Sequence, residues 1–320
     1  MSAPPRKSSP PAEPDGFDYE SKLWGAAAVH PRHWYLQGLR LRWCLEDLAP
    51  IHGRVLDAGC GAGNMTKALK RERPDLELVG MDVSRRSIDQ ALASSEGVRF
   101  EVGNVEHPPT ALGRFDAVVM FDLLEHLAHP ERALDAVARV LKPGGLFHLA
   151  LPLEDQPWTL HRYLRRRGWQ AKVRHSGHVQ AFSADSFRAL AAAAGFDVAR
   201  VRYSSHPLLT FADVAYYLYL DARGGASRSL DDQLAEATTP RAAVMRALKA
   251  GVAAMGWWES RLLSKLPGAC GHFTMTREEP RFPPRARPPD SARRSGVGGP
   301  HSLGPAKPGP RAAKNSEERS

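Results

Sequence analysis

The sequence predicts an α/β fold: a doubly wound, mostly parallel, seven-stranded sheet with helices on both faces and a helical insertion before the last strand. Three observations carry this. Val55-Leu56-Asp57-Ala58-Gly59-Cys60-Gly61-Ala62-Gly63-Asn64 reads as a buried strand, a glycine-rich turn and the start of a helix. Short apolar runs then alternate with stretches of helical spacing as far as Val201, which is the pattern of successive βαβ units and hence of parallel pairing. An acid, Asp82, closes the second apolar run 23 residues after Gly59, near the distance at which a nucleotide-binding βαβ unit places its ribose acceptor.

Taken in order, residues 1–16 carry five prolines among Ser, Glu and Lys, a composition that cannot bury enough surface to order itself. Leu36, Leu39, Trp43, Leu45 and Leu48 then repeat with helical spacing. Met65 to Lys70 is helix-forming and stops before Pro74, and Leu76 to Asp82 is the second strand. Ser84 caps a helix to Ala93. Val98 to Val102 and Phe115 to Met120 are the third and fourth strands. Pro130 to Leu141 is a helix closed by Lys142-Pro143-Gly144-Gly145, and Leu146 to Leu151 is the fifth strand. Residues 154–178 form a polar connection with six cations: Arg162, Arg165, Arg166, Arg167, Lys172 and Arg174. Because it leaves the carboxyl end of the fifth strand, it should overhang the site where such sheets bind ligands. Ser183 caps a further helix, Phe196 to Val201 is the sixth strand, and His272 to Thr276 is the seventh.

Before that last strand comes the insertion, residues 204–267. Its first part, Leu208 to Leu220, is apolar but interrupted by Asp213. Its second part, Arg241 to Leu266, places Val244, Leu248, Val252, Met255, Leu262 and Leu266 on one face. Arg241, Arg246, Lys249, Arg261 and Lys265 take much of the rest, with Trp257 and Trp258 near the middle. Such a helix suits either a lid packed on the core or a membrane surface.

Composition narrows the function classes. Three well-separated cysteines, with no CxxC pair, fit neither a disulfide framework nor a zinc ribbon and suit a reducing compartment. No apolar signal core and no run of 18 apolar residues occurs. The expected location is therefore the cytoplasm, or the periphery of the inner face of a membrane. Of the net charge of +9, +6 lies in the proline-rich tail 280–320, which is expected to be disordered and solvated.

Four stretches resemble one family. These are the glycine turn Val55 to Asn64, the run Phe115 to Leu127 (FDAVVMFDLLEHL), Leu141 to Gly145 (LKPGG) and Gly177 to Ser183 (GHVQAFS). They resemble the class I S-adenosylmethionine-dependent methyltransferases of the small-molecule and quinone-type group. The likeness covers roughly residues 50–200, inside a domain spanning 17–279. It implies a Rossmann-like fold, S-adenosyl-L-methionine as cofactor, and a site built from Asp57, Gly59, Cys60, Gly61, Asn64, Asp82, Val83, Asn104, Val105 and Phe121. Asp57 would face the cofactor's ammonium, Asp82 the ribose hydroxyls, and Val105 the adenine. Asn104 stands where the family usually presents an Asp to the adenine amino group. His126 and His178 are the candidates for removing a proton, and Arg165, Arg166 and Arg167 for holding a small or lipid-like, anionic acceptor. Glu125, His126, His129 and His178 show no single compact ligand spacing, so no metal is expected. Nucleic acid is a poor fit, since neither an NPPY-like nor a PCQ-like motif occurs, and contact with an anionic membrane is the expected macromolecular interaction. Asp57 argues against a dinucleotide-dependent dehydrogenase, because it would sit beside the pyrophosphate. The alternative to an enzyme is a methyltransferase-like binding protein that no longer turns over.

Overall fold

A computed structural model describes residues 29–223 and 239–277. The terminal segments 1–16 and 280–320 that the sequence marks as disordered lie outside the described residues. The strands are β1 (Arg54–Ala58), β2 (Glu77–Asp82), β3 (Arg99–Val102), β4 (Phe115–Phe121), β5 (Leu141–Pro152), β6 (Phe196–Ser204) and β7 (Cys270–Arg277). They form one seven-stranded sheet in the order β3-β2-β1-β4-β5-β7-β6. The pairs among β1 to β5 are parallel, and β7 runs antiparallel between β5 and β6. The expected fold class is therefore the observed one. The central strands are apolar nearly throughout because both of their faces are covered.

The helices are α1 (Leu36–Asp47), α2 (Asn64–Glu72), α3 (Arg85–Leu92), α4 (Pro130–Val140), α5 (Leu160–Arg165), α6 (Ala171–Ser176), α7 (Ala184–Ala193), α8 (Pro207–Ala222) and α9 (Pro240–Leu262). Their starts follow local chemistry. Ser84 Oγ accepts from Ser87 N–H, and Ser183 and Ser186 form a reciprocal capping box on α7. One apolar layer, with Phe115, Phe147, Phe187 and Phe273, packs on one face of the sheet. The other, with Leu41, Leu69, Leu78 and Ile88, lies on the opposite face under α1, α2 and α3.

Four differences from the sequence expectation have physical causes. β5 begins at Leu141, so Lys142 to Gly145 lie within an irregular start of the strand where the register against β4 shifts. The polar connection 154–178 contains two short helices, α5 and α6. The last helix ends at Leu262 rather than Leu266. Its expected apolar face does not meet the core: Val244, Leu248, Met255, Leu262 and Leu266 are solvent-exposed. The helix instead seats Trp257 against Leu39 and Trp43 of α1, because a Gly at 256 lets α8 approach so closely that a Cβ there would lie 2.3 Å from Leu209.

Candidate functional site

The glycine turn sits at the carboxyl end of β1. Gly59, Gly61 and Gly63 all have positive φ, a region that L side chains rarely adopt. At Gly59 a Cβ would also lie 2.8 Å from Leu123, on the segment after β4. The turn is tied to the neighbouring strand, since the amides of Gly59 and Cys60 both donate to Met81 O. Gly61 N–H donates to Asp82 Oδ2 at 2.8 Å, and Ser84 N–H to Asp82 Oδ1 at 2.9 Å. Two backbone amides thus hold the Asp82 carboxylate at the mouth of the turn.

Asp57 lies beneath the same turn, 1% exposed. Thr66 Oγ1 donates to its Oδ2 at 2.6 Å, while Oδ1 is buried with no hydrogen-bond partner. Burial pushes its carboxyl up to about 7, against the Thr66 hydrogen bond and helped by the negative charge of Asp82. A buried acceptor without a donor is costly, and a cationic group arriving from the turn would relieve it. The residues present therefore fit a ligand with an ammonium end and vicinal hydroxyls.

The other expected cofactor residues are distributed as follows. Asn64 opens α2, and Val83, exposed, follows Asp82. Cys60 is buried with its thiol against Gly80, and its N–H donates to Met81 O while its C=O accepts from Gly63 N–H. Val105 is buried, whereas Asn104 is exposed and its Oδ1 already accepts from Glu106 N–H at 2.8 Å. A carbonyl oxygen has a second lone pair, so the turn that occupies Asn104 also fixes its orientation. Phe121 ends β4 and leans on His148, their ring centroids 5.6 Å apart.

Beyond β4 the chain bends at Asp122, which has φ +48° and is paired with Arg40 of α1. A single 3-10 turn, Leu124–His126, follows. His126 and His178 meet edge to face with ring centroids 4.9 Å apart. One donor atom from each of Glu125, His126 and His178 lies within 4.8 Å of the others. Both Glu125 oxygens are buried and have no hydrogen-bond partner. Burial, then the charges of Asp122 and Glu154, pushes the Glu125 carboxyl well above the usual carboxylate range. Burial and the neighbouring His178 push His126 down to about 4. Its Nδ1 lies 3.2 Å from Gly177 O. His178 Nδ1 lies 2.5 Å from Glu154 Oε1. Folding thus gathers the Glu125 carboxyl and the His126 imidazole with the imidazole of His178, 53 residues after Glu125 in the chain, and a carbonyl and a carboxylate orient the two rings, as at metal sites.

The cationic connection is held largely by acids of this chain. Lys172 lies 2.9 Å from Asp213 and 3.4 Å from Glu154, Arg174 lies 2.8 Å from Asp221, and Arg165 lies 3.6 Å from Glu154. His161 Nε2 also meets Asp213, at 2.8 Å. Arg166 and Arg167 are exposed, with the Arg167 guanidinium 3.7 Å from the Tyr163 ring centroid. Sequence reasoning missed Glu154 and Asp213 as parts of the site. The signal was present in each case: an acid directly after a buried strand, and an acid interrupting an apolar helix.

Comparison with known proteins places these features. The family model described as "Methyltransferase domain" matches residues 28–201, more than half of the 320-residue chain. A ubiquinone biosynthesis O-methyltransferase of Erwinia tasmaniensis is 28% identical over 148 residues, 42% of this chain and 61% of that protein. The enzyme of the same name from Bordetella avium is 33% identical over 135 residues, 40% of this chain and 52% of its own length. The chain thus spans less than two thirds of the length of these curated relatives. Among solved structures, the cyclase SpnF superposes with a TM-score of 0.50 at 20% identity, over 79% of this chain and 84% of that one, a likeness of fold alone.

Proposed function

The chain belongs to the methyltransferase-domain family, and from that premise we propose that it is an S-adenosylmethionine-dependent methyltransferase. The observation that carries this reading is the pairing of an unpartnered, buried Asp57 oxygen with an Asp82 carboxylate held by Gly61 N–H and Ser84 N–H, on either side of one glycine turn. When bound, the cofactor supplies a methyl group on a sulfonium leaving group. Asp57 receives the ammonium end, the turn accommodates the methionine backbone, and Asp82 accepts from the ribose hydroxyls. Val105 covers the adenine. The protein's part in the displacement is to hold the acceptor nucleophile in line and to remove its proton.

For proton removal His178 is the stronger candidate. Its Nδ1–H points at Glu154, whose carboxyl burial would raise but which Lys172 and His178 hold at about 2. An ionised carboxylate behind an imidazole fixes its tautomer and leaves the other ring nitrogen to accept a proton. His126, neutral at physiological pH, positions the acceptor beside it. A second reading is favoured by the two Glu125 oxygens, which have no hydrogen-bond partner and lie no nearer than 3.9 Å to His126 Nε2: Glu125, His126 and His178 would hold a divalent cation that binds the acceptor oxygen.

The acceptor is a small or lipid-like molecule. Its anionic character is supported by the exposed Arg166 and Arg167 beside Arg165, since a guanidinium fork matches phosphate or carboxylate. The names of the curated relatives support an oxygen nucleophile. The location that follows is cytoplasmic, with peripheral contact to an anionic membrane. Calorimetry with S-adenosylmethionine and its demethylated product tests the cofactor. Transfer of radiolabel into a fractionated cell extract tests turnover and finds the acceptor. Absence of cofactor binding would end the reading, and binding without transfer would leave a binding protein.

A further inference from the structure

The insertion between β6 and β7 lies wholly beyond the family match, which ends at residue 201. Its helix α9 is exposed all round over residues 243–251 and has two opposite faces from there to its end. At 3.6 residues per turn, Val244, Leu248, Gly251, Met255, Trp258 and Leu262 fall within about 40° of a single line along the helix. All six are exposed, with Val244 59% and Leu262 76% accessible. The residues that bury themselves, Ala242, Gly256, Trp257 and Ser260, fall on the opposite side. Over 19 residues the exposed line is about 27 Å long. Helix α8 repeats the arrangement. Phe211, Ala215 and Leu218 form an exposed apolar line, while the other side of the same helix sends Asp213 to Lys172 and His161. The two helices pack on one another, and α5 packs on α8.

A core-facing helix hides such a stripe; here two adjacent helices turn theirs outward. We propose that the exposed faces of α8 and α9 dock on an anionic lipid bilayer, lying in its interface with the apolar lines among the acyl chains. Charge selects this occupant. Lys265 is exposed just past the end of the α9 line, Arg261 is exposed on its flank with the guanidinium 5.5 Å from the Trp257 ring, and Arg166 and Arg167 are exposed on the neighbouring α5 segment. Anionic headgroups complement these cations, whose stems also reach outward over apolar surface. A second copy of the chain would bring the same patch against itself across a two-fold interface, setting like charges against like. Trp258 suits the boundary, with a ring that is apolar and a single N–H that is not. The inference rests on the methyltransferase reading in one respect only: α8 then separates the bilayer from the site by the thickness of one helix, so a lipid-like acceptor has a short path to His126 and His178.

The experiment is flotation of the full chain with phosphatidylcholine vesicles, with and without phosphatidylglycerol, alongside Leu248→Glu, Met255→Glu and Leu262→Glu variants. These positions are exposed, so the variants keep the fold, and thermal melting checks this. Wild type is expected to float with the anionic vesicles, to float less with plain phosphatidylcholine, and to be released by salt. Each variant is expected to lose roughly tenfold or more in partitioning, with unchanged cofactor affinity. Absence of flotation by wild type, or undiminished flotation of the variants, overturns the proposal. So does a concentration-dependent dimer in light scattering that the same variants dissociate. Failure of cofactor binding in calorimetry with vesicle binding intact would instead sink the methyltransferase reading and leave the docking face standing.

Discussion

His178 and Glu154 meet at 2.5 Å, Nδ1 to Oε1, and both are buried. The contact extends further than the pair. Glu154 is also approached by Lys172, and Lys172 is gripped by Asp213 of α8. A helix of the insertion thereby reaches, through two ion pairs, the imidazole that the proposed reaction uses. Buried charges of this kind are tolerated only when paired, so the four residues are expected to behave as a unit.

Glu154→Gln removes the charge behind His178 but keeps its size. The expected outcome is a fall in kcat of roughly 10- to 100-fold, the usual effect of losing a partner that orients a functional imidazole. Cofactor affinity in calorimetry should stay at the wild-type value. A variant with wild-type kcat would reduce the pair to a structural contact.

Asp82→Ala is expected to weaken cofactor binding by about 2–4 kcal/mol, on the order of 30- to 1000-fold, through loss of charge-assisted hydrogen bonds. The loss should be compounded because Gly61 N–H and Ser84 N–H lose their acceptor as well. An unchanged dissociation constant would remove Asp82 from the site.

Asp57 is expected to make cofactor affinity depend on pH. Its carboxyl is pushed up to about 7 in the free protein, chiefly by burial, against about 4 in an unfolded chain. The protonated form is therefore the stable one below that range, and its contribution to folding is lost as pH rises from about 4 through about 7. A cofactor ammonium favours the ionised form, so binding below pH 7 must expel a proton. Affinity should climb with pH by up to about tenfold per unit and level off above about 7. Calorimetry in buffers of different ionisation enthalpy measures the released proton directly; no release would disconnect Asp57 from the ammonium.

Chelation separates the two readings of the Glu125–His126–His178 group. If these residues hold a divalent cation, two imidazoles and a carboxylate favour Zn²⁺ or Mn²⁺. Burial raises the Glu125 carboxyl and so disfavours the ionised form that a cation needs, so the cation's affinity should rise with pH and Glu125→Gln should abolish it. Elemental analysis of the purified protein and activity after a chelator are the measurements. Full activity without metal assigns proton removal to His178.

Replacing Arg165, Arg166 and Arg167 together by Ala is expected to raise KM for an anionic acceptor by roughly tenfold or more, each lost charged hydrogen bond being worth about 1.5–3 kcal/mol, and to leave cofactor affinity alone. Wild-type acceptor kinetics would leave these arginines as a solvated surface.

Much of the fold was legible in the chain because it is encoded locally. Buried parallel strands read as apolar runs, three closely spaced glycines mark a turn that needs positive φ, and Ser84 and Ser183 announce their helices. The acid at 82 was legible for the same reason, a fixed distance from the turn. The six-cation connection was not: its spacing shows charge, but of the compensating acids only Glu154 lies within it, while Asp213 and Asp221 come from α8.

The sequence by itself determined the alternating architecture, the glycine cradle with Asp57 and Asp82, and the existence of an amphipathic α9. These follow from periodicities and propensities that act within a few residues. Only the tertiary structure decided that Glu125, His126 and His178 meet in one cluster, that Asp213 crosses from the insertion to Lys172, and that α9 turns its apolar line outward. Periodicity states that a helix has an apolar side, but which side meets the protein depends on the competing surfaces. Here Trp257 against Leu39 and Trp43, and Gly256 against Leu209, set the rotation of α9.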